Sequence, residues 1–170
     1  MNLVTVCGHN TTMLRHMLQH YKDIVDDIFV IVYLSSDKDR VLSEVTEITK
    51  ELNIDIHKQT IEEPFNWERV TELYNETKLL KPNDWWIVSD DDELHVYPKP
   101  INELIEDCEK NGYKFITGAF LDRIGEGGRF PKINDDSDIW KEFPLAGSFR
   151  LPVSNACPNK TVVVKGDIQI

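Results

Sequence analysis

Trp85-Trp86-Ile87-Val88-Ser89-Asp90-Asp91-Asp92-Glu93-Leu94 decides how the chain is read. Its first half is an unbroken apolar run, the pattern of a strand covered on both faces. Its second half sets four acids directly on the end of that run. Upstream, Trp67, Val70, Leu73, Tyr74 and Thr77 recur at helical spacing, and Pro82 stops that helix. Further upstream, Ile54-Asp55-Ile56-His57 reads as a short strand. Before it, Val41, Val45, Ile48 and Leu52 mark a second helix. Ile28-Phe29-Val30-Ile31-Val32-Tyr33-Leu34 is another strand buried on both faces. The chain opens with strand Leu3-Val4-Thr5-Val6-Cys7, broken by Gly8, and a helix over 12–22 capped by Thr11 or Thr12. Downstream, Pro98 and Pro100 mark a turn. Ile101, Leu104, Ile105 and Cys108 form a helix ending at Asn111-Gly112, and 113–121 is a fifth strand.

Strands and helices therefore alternate from residue 3 to residue 121. That alternation predicts the α/β class: a mostly parallel central sheet with helices on both faces, a three-layer sandwich. From Asp122 the periodicity is lost. Gly125-Glu126-Gly127-Gly128 reads as a mobile loop, and 149–151, 161–164 and 167–170 as short strands. We expect one domain over 1–170, with an irregular last third at 122–170. Trp67, Trp85 and Trp86 are expected in the core, and Trp140 as an aromatic platform for a sugar ring.

Composition removes several functions. The chain has 170 residues and a net charge of -11. Nucleic-acid binders need a basic track, and anionic lipid repels such a surface. Cys7, Cys108 and Cys157 are too widely spaced for a Cys-x-x-Cys metal site and read as free thiols. No stretch has the length and apolarity of a membrane span, and no signal peptide is visible, so a cytoplasmic location is expected.

The acids carry the chemistry. In open α/β sheets, ligands bind beyond the carboxyl ends of the strands, and the fourth strand ends at Asp90. Consecutive carboxylates repel unless something neutralises them. A hard divalent cation, Mg²⁺ or Mn²⁺, does so while keeping waters and substrate phosphates as further ligands. If the extended backbone persists, Asp90 and Asp92 face one side, and Asp91 and Glu93 the other. His95, just downstream, is a candidate third ligand.

At this point the sequence resembles the family 2 type of glycosyltransferases, which have the Rossmann-like GT-A fold. The similarity is strongest to the subgroup whose metal motif reads D-x-D-E-[F/L], here Asp90-Asp91-Asp92-Glu93-Leu94. Leu14-Arg15-His16-Met17-Leu18-Gln19-His20-Tyr21 resembles the opening helix. Leu121-Asp122-Arg123-Ile124 with Gly127-Gly128, then Trp140-Lys141-Glu142-Phe143-Pro144, resemble the D-R-x-x-x-x-G and W-x-x-F-P elements. The resemblance implies a nucleotide-diphosphate sugar as donor and a glycan or other hydroxyl compound as acceptor. It places Asp90 and Asp92 at the metal, with Asp90 and Asp91 beside the nucleotide. Asp37 would approach the base, and His9, Asn10 and Asn75 would line the nucleotide. The family's Arg before that Asn is Tyr74 here. Many relatives continue past a strand like 162–170 into a Gly-x-His metal segment, so a truncated acceptor side is expected.

Sugar transfer builds charge on the leaving diphosphate, and a cation stabilises it. An inverting enzyme also needs a carboxylate base for the acceptor hydroxyl. Candidates are Asp122, Asp135, Asp136, Asp138 and Glu142, with Asp122 and Glu142 ranked first. Two other activities share the acidic pair. A nucleotidyltransferase would carry a Gly-rich basic loop after the first strand, which Gly8-His9-Asn10-Thr11-Thr12 lacks. A non-catalytic nucleotide-sugar or carbohydrate-binding module would bind without turnover.

Overall fold

The computed structural model describes residues 1–36, 40–147 and 157–170. In chain order the elements are β1 (Asn2–Cys7), α1 (Leu14–Lys22), β2 (Asp27–Leu34), α2 (Val41–Leu52), β3 (Ile56–Ile61), α3 (Trp67–Lys78) and β4 (Trp85–Val88). Then follow α4 (Ile101–Asn111), β5 (Phe115–Ala119), β6 (Asp122–Ile124), a 3-10 turn (Glu126–Gly128), α5 (Ile139–Glu142), β7 (Leu145–Gly147) and β8 (Asn159–Lys165). The chain divides into two compact units, Met1–Ile116 with Val162–Ile170, and Thr117–Thr161.

The first unit is the expected α/β layering. The main sheet runs β3-β2-β1-β4-β8-β5. β1 pairs in parallel with both β2 and β4, and β2 with β3, whereas β8 is antiparallel to β4. Side chains alternate across the strands and build two cores. Leu3, Cys7, Val30, Val32 and Ile87 face one side, where Leu14, Met17 and Leu18 of α1, Val45 of α2 and Ile101 of α4 cover them. Val4, Val6, Ile31, Trp86 and Val88 face the other, under Val70, Leu73 and Tyr74 of α3. Buried hydrocarbon on both faces is the main stabilising contribution, at roughly 25 cal/mol per Å².

Several local expectations need correction. No Thr caps α1. Asn10 accepts hydrogen bonds from the Thr12 N–H and hydroxyl at 2.9 and 2.6 Å, and α1 starts only at Leu14. The third strand begins later than 54 because Asn53 closes α2 in the left-handed conformation and the Ile54 N–H reaches back to the Thr49 carbonyl at 2.8 Å. β3 is an edge strand, so it tolerates the polar run His57 to Thr60. Gly112 ends α4 as expected, at φ 74°. Residues 167–170 form no strand. Gly166 turns the chain so tightly that a Cβ there would sit 2.4 Å from the Lys81 carbonyl oxygen. Ile168 and Ile170 then pack onto the α3 core. Trp85 and Trp86 are buried, but Trp67 is 68% exposed because its helical position faces solvent. The expected strand at 149–151 and Asp37 lie outside the described residues.

In the second unit, β6 pairs antiparallel with β7. Asp138 caps α5 by accepting the Lys141 N–H at 3.1 Å. Gly125 closes its loop through an N–H to the Arg129 carbonyl, 2.9 Å.

Candidate functional site

The strand order places a topological switch between β1 and β4. From β1 the chain runs outward through β2 to β3, and then returns to the other side of β1 as β4. Ligands of such sheets bind at the carboxyl ends of the strands at that point. The residues there are Gly8, His9 and Asn10 after β1, and Ser89 to Glu93 after β4.

The acids do not continue as a strand. The Glu93 N–H donates to the Asp90 carbonyl at 3.1 Å, and the Asp90 N–H donates to the Glu93 carboxylate at 3.0 Å. Asp91 and Asp92 therefore occupy the tip of a turn, and the expected alternation of side chains stops at Asp90. Glu93 is a turn-closing residue. The turn is anchored from beneath. Ser89 donates through its hydroxyl to the Glu93 carbonyl at 3.0 Å. The Tyr21 hydroxyl donates to the same carbonyl at 3.2 Å and accepts the His95 N–H at 2.9 Å. Tyr74 donates its hydroxyl to the Asp90 carboxylate at 2.7 Å. The residue that stands where the family has Arg thus orients one of the expected metal acids. Burial and the Asp90 charge hold the Tyr74 hydroxyl in its protonated, donating form.

Sequence reasoning missed these holders. Tyr21 and Tyr74 read as core because they fall on apolar helical stripes, and their rings are indeed buried. A buried Tyr still needs a partner for its hydroxyl, which is the signal that points to them.

Charge is concentrated at the tip. Asp91 is pushed up to about 7, first by burial and then by the charges of Asp92 and Asp90. Among the described residues, no three His, Cys, Asp or Glu groups are arranged to hold a metal ion. An all-protein cage is not what a phosphate-bridging Mg²⁺ or Mn²⁺ requires; one or two carboxylates suffice, with waters and substrate phosphates as the rest. A turn that carries Asp90, Asp91 and Asp92 in a row offers the carboxylates that such an ion needs. One ring nitrogen of His95 is engaged beside Tyr97, and the other is buried without a hydrogen-bond partner. Its Nδ1 lies 3.2 Å from the Tyr97 hydroxyl, while Nε2 is buried and 3.8 Å from the Glu93 carboxylate.

The remaining expected residues are placed as follows. The His9 ring lies 4.2 Å from that of Phe65, centroid to centroid. Asn10 spends its side-chain oxygen on Thr12. Both amide atoms of Asn75 bond the backbone of Ile170, at 3.1 and 3.2 Å. In the second unit, Asp122 begins β6 opposite Gly147 and is exposed. The Glu142 carboxylate accepts the Asp138 N–H at 3.1 Å and the Ser137 hydroxyl at 3.3 Å, so it helps to cap α5. Trp140 is 43% exposed, with the Arg123 guanidinium 4.9 Å from its ring centroid.

No protein-family model and no curated protein sequence matches the chain. Among solved structures, it is similar to the crystal structure of a 4-diphosphocytidyl-2C-methyl-D-erythritol synthase. The identity is 15% and the TM-score 0.46, over 98% of this chain and 75% of that one. The described residues contain no helix long and apolar enough to cross a membrane.

Proposed function

We propose that the chain is a metal-dependent glycosyltransferase, moving a sugar from a nucleotide-diphosphate sugar to a hydroxyl group of a glycan acceptor. The observation that carries this reading is the acidic turn at the switch point. Its central carboxyl, Asp91, is raised to about 7, first by burial and then by the charges of Asp92 and Asp90. A turn so charged favours a divalent cation, and a cation there would offer its open positions to a diphosphate. The ordered motifs 90–94, 121–128 and 140–144 support the donor class.

In this reading Asp90 and Asp92 hold Mn²⁺ or Mg²⁺, which, when bound, offsets the charge that develops on the leaving diphosphate. Tyr74 fixes the Asp90 carboxylate through its 2.7 Å hydrogen bond, so the acid is aimed before the donor arrives. Tyr21 and Ser89 fix the turn itself. His9 and Asn10 border the nucleotide from the end of β1. The ranked candidates for the acceptor base, Asp122 and Glu142, belong to the second unit, where Glu142 is engaged at the α5 cap. The test is a screen of nucleotide-sugar donors for Mn²⁺-dependent release of nucleoside diphosphate, with and without hydroxyl acceptors. Turnover that disappears in Asp92→Asn supports the reading. A chain that binds nucleoside diphosphate but never releases it from a donor is a binding module, and one that ignores nucleotides altogether sinks the assignment.

A further inference from the structure

Trp67 is the least expected side chain of the first unit. Its indole is 68% exposed at the first residue of α3, although a ring of that size contributes most when covered. The ring is not loose. It meets Phe65 edge-on, with centroids 4.9 Å apart and planes at 88°. Phe65 in turn stacks on Tyr33 at 5.1 Å and touches the His9 ring at 4.2 Å. The Asn66 N–H donates to the Tyr33 hydroxyl at 3.1 Å, which ties this loop to the end of β2. Gly8 makes the junction possible, because a Cβ there would lie 2.0 Å from the Tyr33 carbonyl oxygen.

These rings form a step on the sheet edge where β1 and β2 end. The acidic turn follows β4, the strand on the other side of β1. Across the sheet, β2 and β4 lie two strand spacings, about 10 Å, apart. A nucleoside diphosphate has one flat aromatic end and one polyanionic end, joined by a ribose. A ligand whose diphosphate lies at Asp90 and Asp92 therefore brings its base to the β1–β2 side, where the exposed aromatic face is.

We propose that Trp67, braced by Phe65, stacks on the nucleobase of the donor. This rests on the nucleotide-diphosphate reading of the acidic turn and adds the means by which the base is held. Trp67 contacts the base; Phe65 and His9 position it. Stacking accepts any base, because every base presents a π-face.

Calorimetry with Mg²⁺ in excess tests this with three probes: uridine diphosphate, guanosine diphosphate and inorganic diphosphate. In the unaltered chain both nucleotides should bind more tightly than inorganic diphosphate. Trp67→Ala should weaken both nucleotides about tenfold, the loss expected for one base–aromatic stack, and leave inorganic diphosphate unchanged. Trp67→Phe should keep nucleotide affinity within about threefold, because a π-face remains, and should lose most of the quenching of tryptophan emission by nucleotide. Circular dichroism checks that each variant is folded. If Trp67→Ala binds nucleotides as tightly as the unaltered chain, or if nucleotides never bind better than inorganic diphosphate, the stacking fails and the acidic turn stands. If the unaltered chain binds none of the three, the acidic turn reading fails and the stacking falls with it.

Discussion

The two ends of the parallel sheet treat their acids in opposite ways. At the amino end, Asp27 at the start of β2 meets Lys81 at 2.6 Å, and the same ammonium reaches Asn2 of β1 at 3.1 Å. The Asp27 carboxylate in turn holds Lys81 above its ordinary range. At the carboxyl end, burial first, and then the charges of Asp92 and Asp90, push Asp91 up to about 7. One end sets an acid against a cation; the other sets acids side by side in a turn. A chain selected only for stability gains nothing from the second arrangement, because repulsive charge at a half-buried turn is a cost. The contrast points to the carboxyl end as the functional one.

The largest expected effect comes from the stored charge. Asp92→Asn should lower metal-dependent turnover by on the order of 10²–10³, the scale seen when one electrostatic contact to a developing charge is removed. Steady-state kinetics with saturating Mn²⁺ measures it. A variant within a few-fold of the unaltered chain would move the metal away from this turn.

Next is Lys78, on the same buried face of α3 as Tyr74. Lys78 is fully covered, and its ammonium donates to the Ile168 carbonyl. Burial lowers Lys78 to about 8. Lys78→Ala removes a buried stem and orphans that carbonyl, at a cost of about 2–4 kcal/mol in denaturant unfolding. The unfolded lysine binds its proton more tightly than the folded one. Stability from this group should therefore rise as pH increases from about 8 toward 10.5, and Lys78→Met should flatten that rise.

Asp91 gives the mirror image, and a smaller effect. Its folded carboxyl titrates near 7 against an ordinary 3.8, so the folded form holds its proton more firmly. Stability should rise as pH falls from above 7 toward 4. Asp91→Asn should flatten that slope and stabilise the chain at pH 8, by less than the ~4 kcal/mol a shift of this size would carry in full, because the turn is only partly buried and solvent screens it. Thermal melts across pH, compared between the two chains, isolate this group. An excess of Mg²⁺ with nucleoside diphosphate should remove most of the difference, because the cation offsets the same repulsion.

How far the sequence discloses all this depends on which interaction is at stake. The layers of the first unit were readable, because Leu14, Met17, Leu18 and Tyr21 on α1 and the run 28–34 on β2 follow the helical and strand periods that burial imposes. The acidic turn was readable because charge at the end of an apolar run has few structural reasons. Its holders were not. Whether the Tyr74 hydroxyl meets Asp90 depends on how α3 packs on the sheet, a contact between residues sixteen apart that no local period encodes. Trp67 misled for a related reason: an aromatic at helical spacing suits the core, and only the packed helix shows that its stripe ends at Val70. The second unit has few apolar periods. Among its described residues few apolar side chains are buried, Ile139 and Phe143 among them, so Asp122 ranks only on its expected place at the end of the fifth strand and Glu142 only on its motif. The cap role of Glu142 then emerged only from the fold of α5.

The smallest effect tests the compensated end. Lys81 is part exposed, and its ion pair with Asp27 is open to water and salt. Exposed pairs of this kind contribute about 0.2–1 kcal/mol, because solvent screens them and ordering two long side chains offsets the gain. Lys81→Ala should therefore destabilise the chain by about 0.5 kcal/mol, and the loss should shrink in 1 M salt. The backbone carbonyl of Lys81, which accepts the Trp86 indole N–H at 3.1 Å, survives the substitution, so the strand beneath is not disturbed. Nucleotide binding should be unchanged. A loss of several kcal/mol, or one that persists in high salt, would mean that Lys81 acts by packing over the Phe29 ring, 5.8 Å away, more than by charge. The amino end would then owe its stability to hydrocarbon. The contrast between the two ends would narrow to one fact: only the carboxyl end concentrates charge beyond what its fold requires.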